Sequence, residues 1–98
     1  MHARIGRISF TPDKADQVEA HVRENVVPSY EGADGFKGFT LLLDRGSGEG
    51  VGITYWETED AMRATEDLGD KARQGAAEAG SGRDKGPEHY EVAIDTMA

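Results

Sequence analysis

The chain has no cysteine, which excludes disulfides, thiolate metal sites and a cysteine nucleophile. Positive charge is scarce: eleven Lys and Arg face nineteen Asp and Glu, a net charge of −8 over 98 residues. Phosphate backbones and anionic lipid repel such a chain, which argues against nucleic-acid and membrane partners. No apolar run approaches the ~20 residues of a membrane-crossing helix. The opening MHARIGRISF lacks the apolar core of a signal peptide, so a cytoplasmic location is expected. There is one tryptophan, whereas the 13 glycines cluster between periodic segments and mark turns. The length suits one domain over residues 1–98 with one modest core.

The stretch Gly50–Met62, GVGITYWETEDAM, is the most informative. Val51, Ile53 and Tyr55 alternate with Gly52, Thr54 and Trp56, the period of a two-faced strand. Thr58 can then cap a helix, with Glu59 and Asp60 in the first turn where carboxylates favour the free N–H groups.

Upstream, residues 3–10 read as a strand with Gly6, Ile8 and Phe10 on one face and Ile5, Arg7 and Ser9 on the other. Thr11-Pro12-Asp13 starts a helix striped by Ala15, Val18, Val22 and Val26 (or Asn25) and ending before Pro28. Residues 29–35 read as a loop, and Phe36–Asp44 as a strand whose Leu41-Leu42-Leu43 run puts apolar groups on both faces. Residues 46–50 form a hairpin loop. A helix is predicted from about Glu59 to Leu68, and a weaker one over Asp70–Ala79, where Gly75 costs about 1 kcal/mol relative to alanine. Residues 80–87 read as a mobile loop, and His89–Asp95 as the last strand.

The order β-α-β-β-α-β predicts a ferredoxin-like α+β fold, with one antiparallel sheet and helices on one face. The other face should then be polar in a monomer. Leu42, or Leu41 and Leu43, must nevertheless lie there, and the third strand carries large apolar groups on both sides. A homodimer with its sheets packed face to face accommodates this pattern, the plainer alternative being a loop that covers the second face.

Thr11-Pro12, Val26-Val27-Pro28, Gly35-Phe36-Lys37-Gly38 and Trp56-Glu57-Thr58-Glu59-Asp60-Ala61, in this order and at these spacings, resemble the antibiotic-biosynthesis monooxygenase family over residues 3–95. The resemblance implies a dimeric α/β barrel with a cleft between helices and sheet in each subunit. Its members include cofactor-independent oxygenases of aromatic phenols and heme-degrading enzymes. In the quinone-forming oxygenases an asparagine lies four residues before the strand tryptophan and a tyrosine six after it. Those positions are Gly52 and Met62 here, while Trp56 is retained. The heme degraders' first-strand asparagine falls at Gly6 and their second tryptophan near Thr65. Their iron-ligating histidine has no counterpart around Gln74–Ala77.

The resemblance implies a cofactor-free oxygenase of a small planar aromatic or phenolic metabolite. The departures leave a non-catalytic dimeric small-molecule binder as the alternative. Trp56 would shape a pocket with Phe10, Phe39 and Met62, and Tyr30 or Arg7 would supply polar contacts to the substrate. His21 would be the general base, imidazole being suited to that work near neutral pH, or an axial ligand in a heme-binding relative. Each has a plainer reading. Trp56 can be a core anchor, His21 a helix-surface residue beside Glu24, and Arg7 a cross-strand partner of Glu91 or Asp95. Glu57, Glu59 and Asp60 are accounted for by helix-start electrostatics. No metal site is expected, since His2 and His89 lie far in sequence from His21 and Glu24.

Overall fold

The computed structural model describes residues 1–97. Strand β1 (His2–Ser9) leads through a 3-10 turn, Pro12–Lys14, into helix α1 (Ala15–His21). A π-helical segment, Val22–Val26, joins α1 to α2 (Val27–Tyr30). Then follow β2 (Phe36–Asp44), β3 (Glu49–Trp56), α3 (Glu59–Arg63), α4 (Glu66–Ala79) and β4 (Asp84–Glu91). The strands make one open antiparallel sheet in the order β2-β3-β1-β4, the ferredoxin-like arrangement expected. No helix among the described residues is long and apolar enough to cross a membrane.

Thr58 caps α3 as predicted, accepting the Ala61 N–H at 3.0 Å. Thr11 makes no capping bond, and Pro12 opens a 3-10 turn rather than an α-helix. Nor does the first helix stop before Pro28; it runs on to Tyr30. Proline inside an α-helix lacks an N–H and its ring strikes the carbonyl four residues back. The π-helical segment ahead of Pro28 widens the turn and relieves that contact. Tyr30 is thereby carried over the sheet and is 2% exposed, not in a loop.

Two further boundaries differ from the predicted ones. The second helical region breaks at Ala64–Thr65, not near Gly69. There the Met62 carbonyl accepts from the Thr65 hydroxyl at 2.9 Å and from Arg4 Nη1 at 2.9 Å. The last strand lies five residues earlier than predicted at its start, so Asp84–Pro87 belong to β4 rather than to a loop. Ser9 and Arg83 exchange backbone bonds of 2.9 and 3.3 Å. Gly82 comes so close to Ser9 that a β-carbon would lie 1.8 Å from the Ser9 carbonyl oxygen. Pro87 is tolerated because β4 is an edge strand. Val92 donates to the Met1 carbonyl, but Ile94 lies outside the strand and is exposed.

Side-chain alternation gives the sheet two unlike faces. Toward the helices point Arg4, Gly6 and Ile8 of β1, Gly50, Gly52, Thr54 and Trp56 of β3, and Phe39, Leu41 and Leu43 of β2. The core forms here, with Val18, Val22, Val26 and Tyr30 from the first helical region and Met62, Ala76 and Ala77 from the second. The outer face carries the cross-strand rows Leu42–Val51–Arg7, Thr40–Ile53–Ile5–Glu88 and Tyr55–Ala3–Tyr90. Leu42 and Tyr90 are 51% and 52% exposed, so a largely apolar face is left open.

Candidate functional site

A cavity of about 50 Å³ lies between the helices and the sheet. Ile8, Val22, Val26, Leu41, Ala72 and Ala76 make its apolar walls. Its floor has no side chains where Gly6 and Gly52 are paired across β1 and β3. The Phe39 ring reaches over Gly52, and the stem of Arg73 over Gly6, to within 3.4 and 3.2 Å of where their β-carbons would be.

The polar lining comprises Arg4, Tyr30, Thr54 and Arg73. Arg4 is 3% exposed, although it is a strand arginine in a small protein. It donates to the Met62 carbonyl at 2.9 Å, the Thr65 hydroxyl at 3.1 Å and the Tyr30 hydroxyl at 3.2 Å. The Tyr30 and Trp56 rings lie 5.9 and 5.6 Å from its Cζ, within cation–π range. Tyr30 stacks on Phe36 and Phe39 with centroids 5.6 and 6.4 Å apart, and meets Trp56 edge-on at 5.8 Å. Trp56 Nε1 donates to Thr54 Oγ1 at 2.8 Å, which anchors the indole.

Arg73 is spoken for. It binds Asp70 on its own helix and Asp84 on β4, bridging the two elements. Burial works against ionisation of Asp84, but the hydrogen bond from Arg73 and then the Gly86 N–H outweigh it and hold the carboxyl below its usual range. Burial likewise works against the charge on Arg73, and the bonds to Asp84 and Asp70 outweigh that, raising its pKa.

Alongside runs a groove of about 390 Å³, between the first helical region and edge strand β2. Glu19, Arg23 and Arg45 rim it, and Val27 and Leu43 lie along it. Val22, Phe39 and Leu41 line both spaces, so these three side chains stand between an open groove and a small polar-ended cavity.

Of the residues singled out in the sequence, Tyr30 and Phe39 line the cavity. Trp56, Met62 and Phe10 are in the core and outside the lining; Trp56 supports Tyr30 and Arg4, and Met62 supplies its carbonyl. Arg7 is on the opposite face of the sheet, bonded to Glu88 at 2.8 Å rather than to Glu91 or Asp95. His21 faces α4, where a β-carbon at Gly75 would lie 2.6 Å from its Nε2, and its Nδ1 is 3.3 Å from Asn25. Arg4, Thr54 and Arg73 are the polar lining residues that sequence reasoning missed. The signal was available: Arg4 shares the parity of Gly6 and Ile8, which places a charge on the buried face of its strand.

The lining contains no histidine, and 50 Å³ is about a third of the ~150 Å³ that holds a benzene ring. These residues do not fit a heme. No group of three or more metal-ligating side chains occurs among the described residues.

Residues 1–70 match the family model described as antibiotic biosynthesis monooxygenase. An uncharacterized Mycobacterium tuberculosis protein, Rv2558, is 38% identical over 96 residues, covering 96% of this chain and 39% of its own length. The chain thus spans about two-fifths of the curated relatives it matches. The solved heme degrader MhuD of M. tuberculosis superposes with a TM-score of 0.70 at 22% identity, covering 99% of this chain and all of that one. SnoaB, a cofactor-independent oxygenase from Streptomyces nogalater, gives 0.63 at 20% identity, covering 97% and 95%. At these identities the two structures establish the fold alone.

Proposed function

Since the chain belongs to the antibiotic biosynthesis monooxygenase family, we propose that it acts as a homodimer on a small planar aromatic or phenolic metabolite, oxygenating it without a cofactor. The observation that supports this reading is the groove passing Phe39 into a cavity with a polar inner end. Apolar walls with a few convergent polar groups suit a flat, mostly apolar molecule carrying one polar oxygen. The ring would lie in the groove, with Phe39 turned aside, and the oxygen would reach toward Tyr30 and Arg4. Trp56 would hold that end rigid from beneath.

In this chemistry the substrate is its own reductant. An activated methylene gives up a proton, and the resulting anion passes one electron to dioxygen. The radical pair combines to a hydroperoxide, and loss of water leaves a carbonyl. One oxygen atom ends in the product and the other in water.

Homodimerisation is supported by the open outer face, where Ile5, Leu42, Val51, Ile53 and Tyr55 form an apolar patch. An oxygen electrode with an anthrone-type substrate tests the reaction. Dioxygen consumed in a one-to-one ratio with substrate, without peroxide, is the expected result. No uptake above buffer across a panel of phenols and anthrones would sink it.

A specific observation favours a second reading, a binding protein without turnover. Gly52 offers the cavity no side chain, and Met62 is 1% exposed in the core. Saturable ligand binding with no product would support that reading.

A further inference from the structure

We propose that Arg4 is an anion receptor, so that the cleft selects planar aromatic ligands that carry a negatively charged oxygen, such as an aromatic carboxylate. The inference rests on reading this cleft as the ligand site and names the chemical class it takes.

Arginine has five N–H donors. Three of them are used on Met62, Thr65 and Tyr30, all neutral acceptors. Among the described residues the Nε–H and one Nη2–H have no hydrogen-bond partner, although no side-chain nitrogen fully shut off from solvent is left without one. Arg7, Arg23, Arg45, Arg63 and Arg73 each hydrogen-bond a carboxylate. Arg4, the most buried of them, does not. Its nearest carboxylate oxygen, Glu66 Oε1, is 3.8 Å from Nη1 and lies 2.7 Å from His89 Nε2 instead. A guanidinium buried without a directly bonded anion is costly, and a ligand oxyanion in the cavity would offset that cost.

The guanidinium is also held in a fixed plane. A β-carbon at Gly69 would lie 2.8, 2.9 and 3.0 Å from Nε, Cζ and Nη2. Near-equal distances to all three atoms place that point out of the guanidinium plane, above its Nε–Nη2 edge. Tyr30 and Trp56 lie within cation–π distance. Gly69 thus lies beside the Nε–Nη2 edge but out of its plane, so only in-plane approach to the unpartnered donors remains, and Arg4 lines the cavity. In-plane donors on a pre-oriented fork match a carboxylate. At about 50 Å³ the cavity has room for such a group but not for a ring, which belongs in the adjoining groove. With the chain at −8 overall, attraction for an anion must come from a local cation.

Calorimetric titration of the folded protein under nitrogen with naphthoate, and with its uncharged isostere naphthamide, tests the proposal without turnover. Naphthoate should bind at least tenfold more tightly, and should shift the Arg4 Nε–H resonance, which naphthamide leaves in place. In Arg4→Met the naphthoate affinity should fall to that of naphthamide. The resonance measurement in wild-type protein decides the matter even if that variant fails to fold. Equal binding of the two probes, binding of neither, or naphthoate affinity retained in Arg4→Met overturns the proposal. Preferential naphthoate binding without oxygen uptake on substrates would leave the receptor standing and remove the oxygenase reading. Oxygen uptake without charge preference would do the reverse.

Discussion

Gly69 on α4 packs against the Arg4 guanidinium on β1, so closely that no β-carbon fits between them. Gly69→Ala must therefore displace a buried group that holds three hydrogen bonds. Alanine favours a helix over glycine by about 1 kcal/mol. The loss of buried charged hydrogen bonds exceeds this, and a net destabilisation of about 1–3 kcal/mol is expected in urea unfolding. A net gain would mean that Arg4 is free to move.

His21 and Gly75 are related in the same way, with a weaker constraint, since the imidazole is only half-buried and can swing. In a His21→Ala background, Gly75→Ala should stabilise the fold by about 1 kcal/mol, the helix-propensity gain alone. In the wild-type background the gain should be smaller or reversed. Equal effects in both would show that the ring does not occupy that space.

Ile53 lies between Thr40 and Ile5 in the middle row of the open sheet face. Ile53→Glu should convert a dimer to a monomer in sedimentation velocity while leaving the far-ultraviolet spectrum unchanged. Wild-type protein that sediments as a monomer would contradict the sheet-to-sheet assembly.

The Asp84 carboxyl is held below its usual range, so its bond to Arg73 stabilises the folded state above about pH 4. That contribution is lost as pH falls through the folded-state value. Because Asp84 is partly exposed, the contribution is about 1 kcal/mol or less. Asp84→Asn should lower stability by that amount at neutral pH, with the difference vanishing in acid. A deficit that persists at low pH would assign it to packing instead.

Periodicity made the four-strand order legible, and Thr58 with its following acids marked the start of α3. Pro28 was misleading because a breaker in an α-helix is compatible with a π-turn, and nothing in single-residue propensity signals one. The Gly80–Pro87 stretch has loop composition, yet an edge strand needs neither large side chains nor every N–H, so the pairing with β1 was hidden. The break at Ala64–Thr65 depends on Arg4 reaching the Met62 carbonyl, a contact 58 residues apart in sequence. Of the residues named as pocket candidates, Tyr30 and Phe39 line the cavity. Arg4 was passed over because a strand arginine ordinarily reads as solvent-facing, although its parity with Ile8 pointed inward.

The most direct test of the central claim is oxygen uptake with an anthrone-type substrate by wild-type protein, Arg4→Met and Arg63→Met, each first shown to be folded. Arg63 is exposed on α3 and pairs with Glu59, outside the cleft. The account predicts uptake matched by product for wild type and Arg63→Met, and at least tenfold slower for Arg4→Met. Uptake unchanged in Arg4→Met, or absent from wild type, would contradict it.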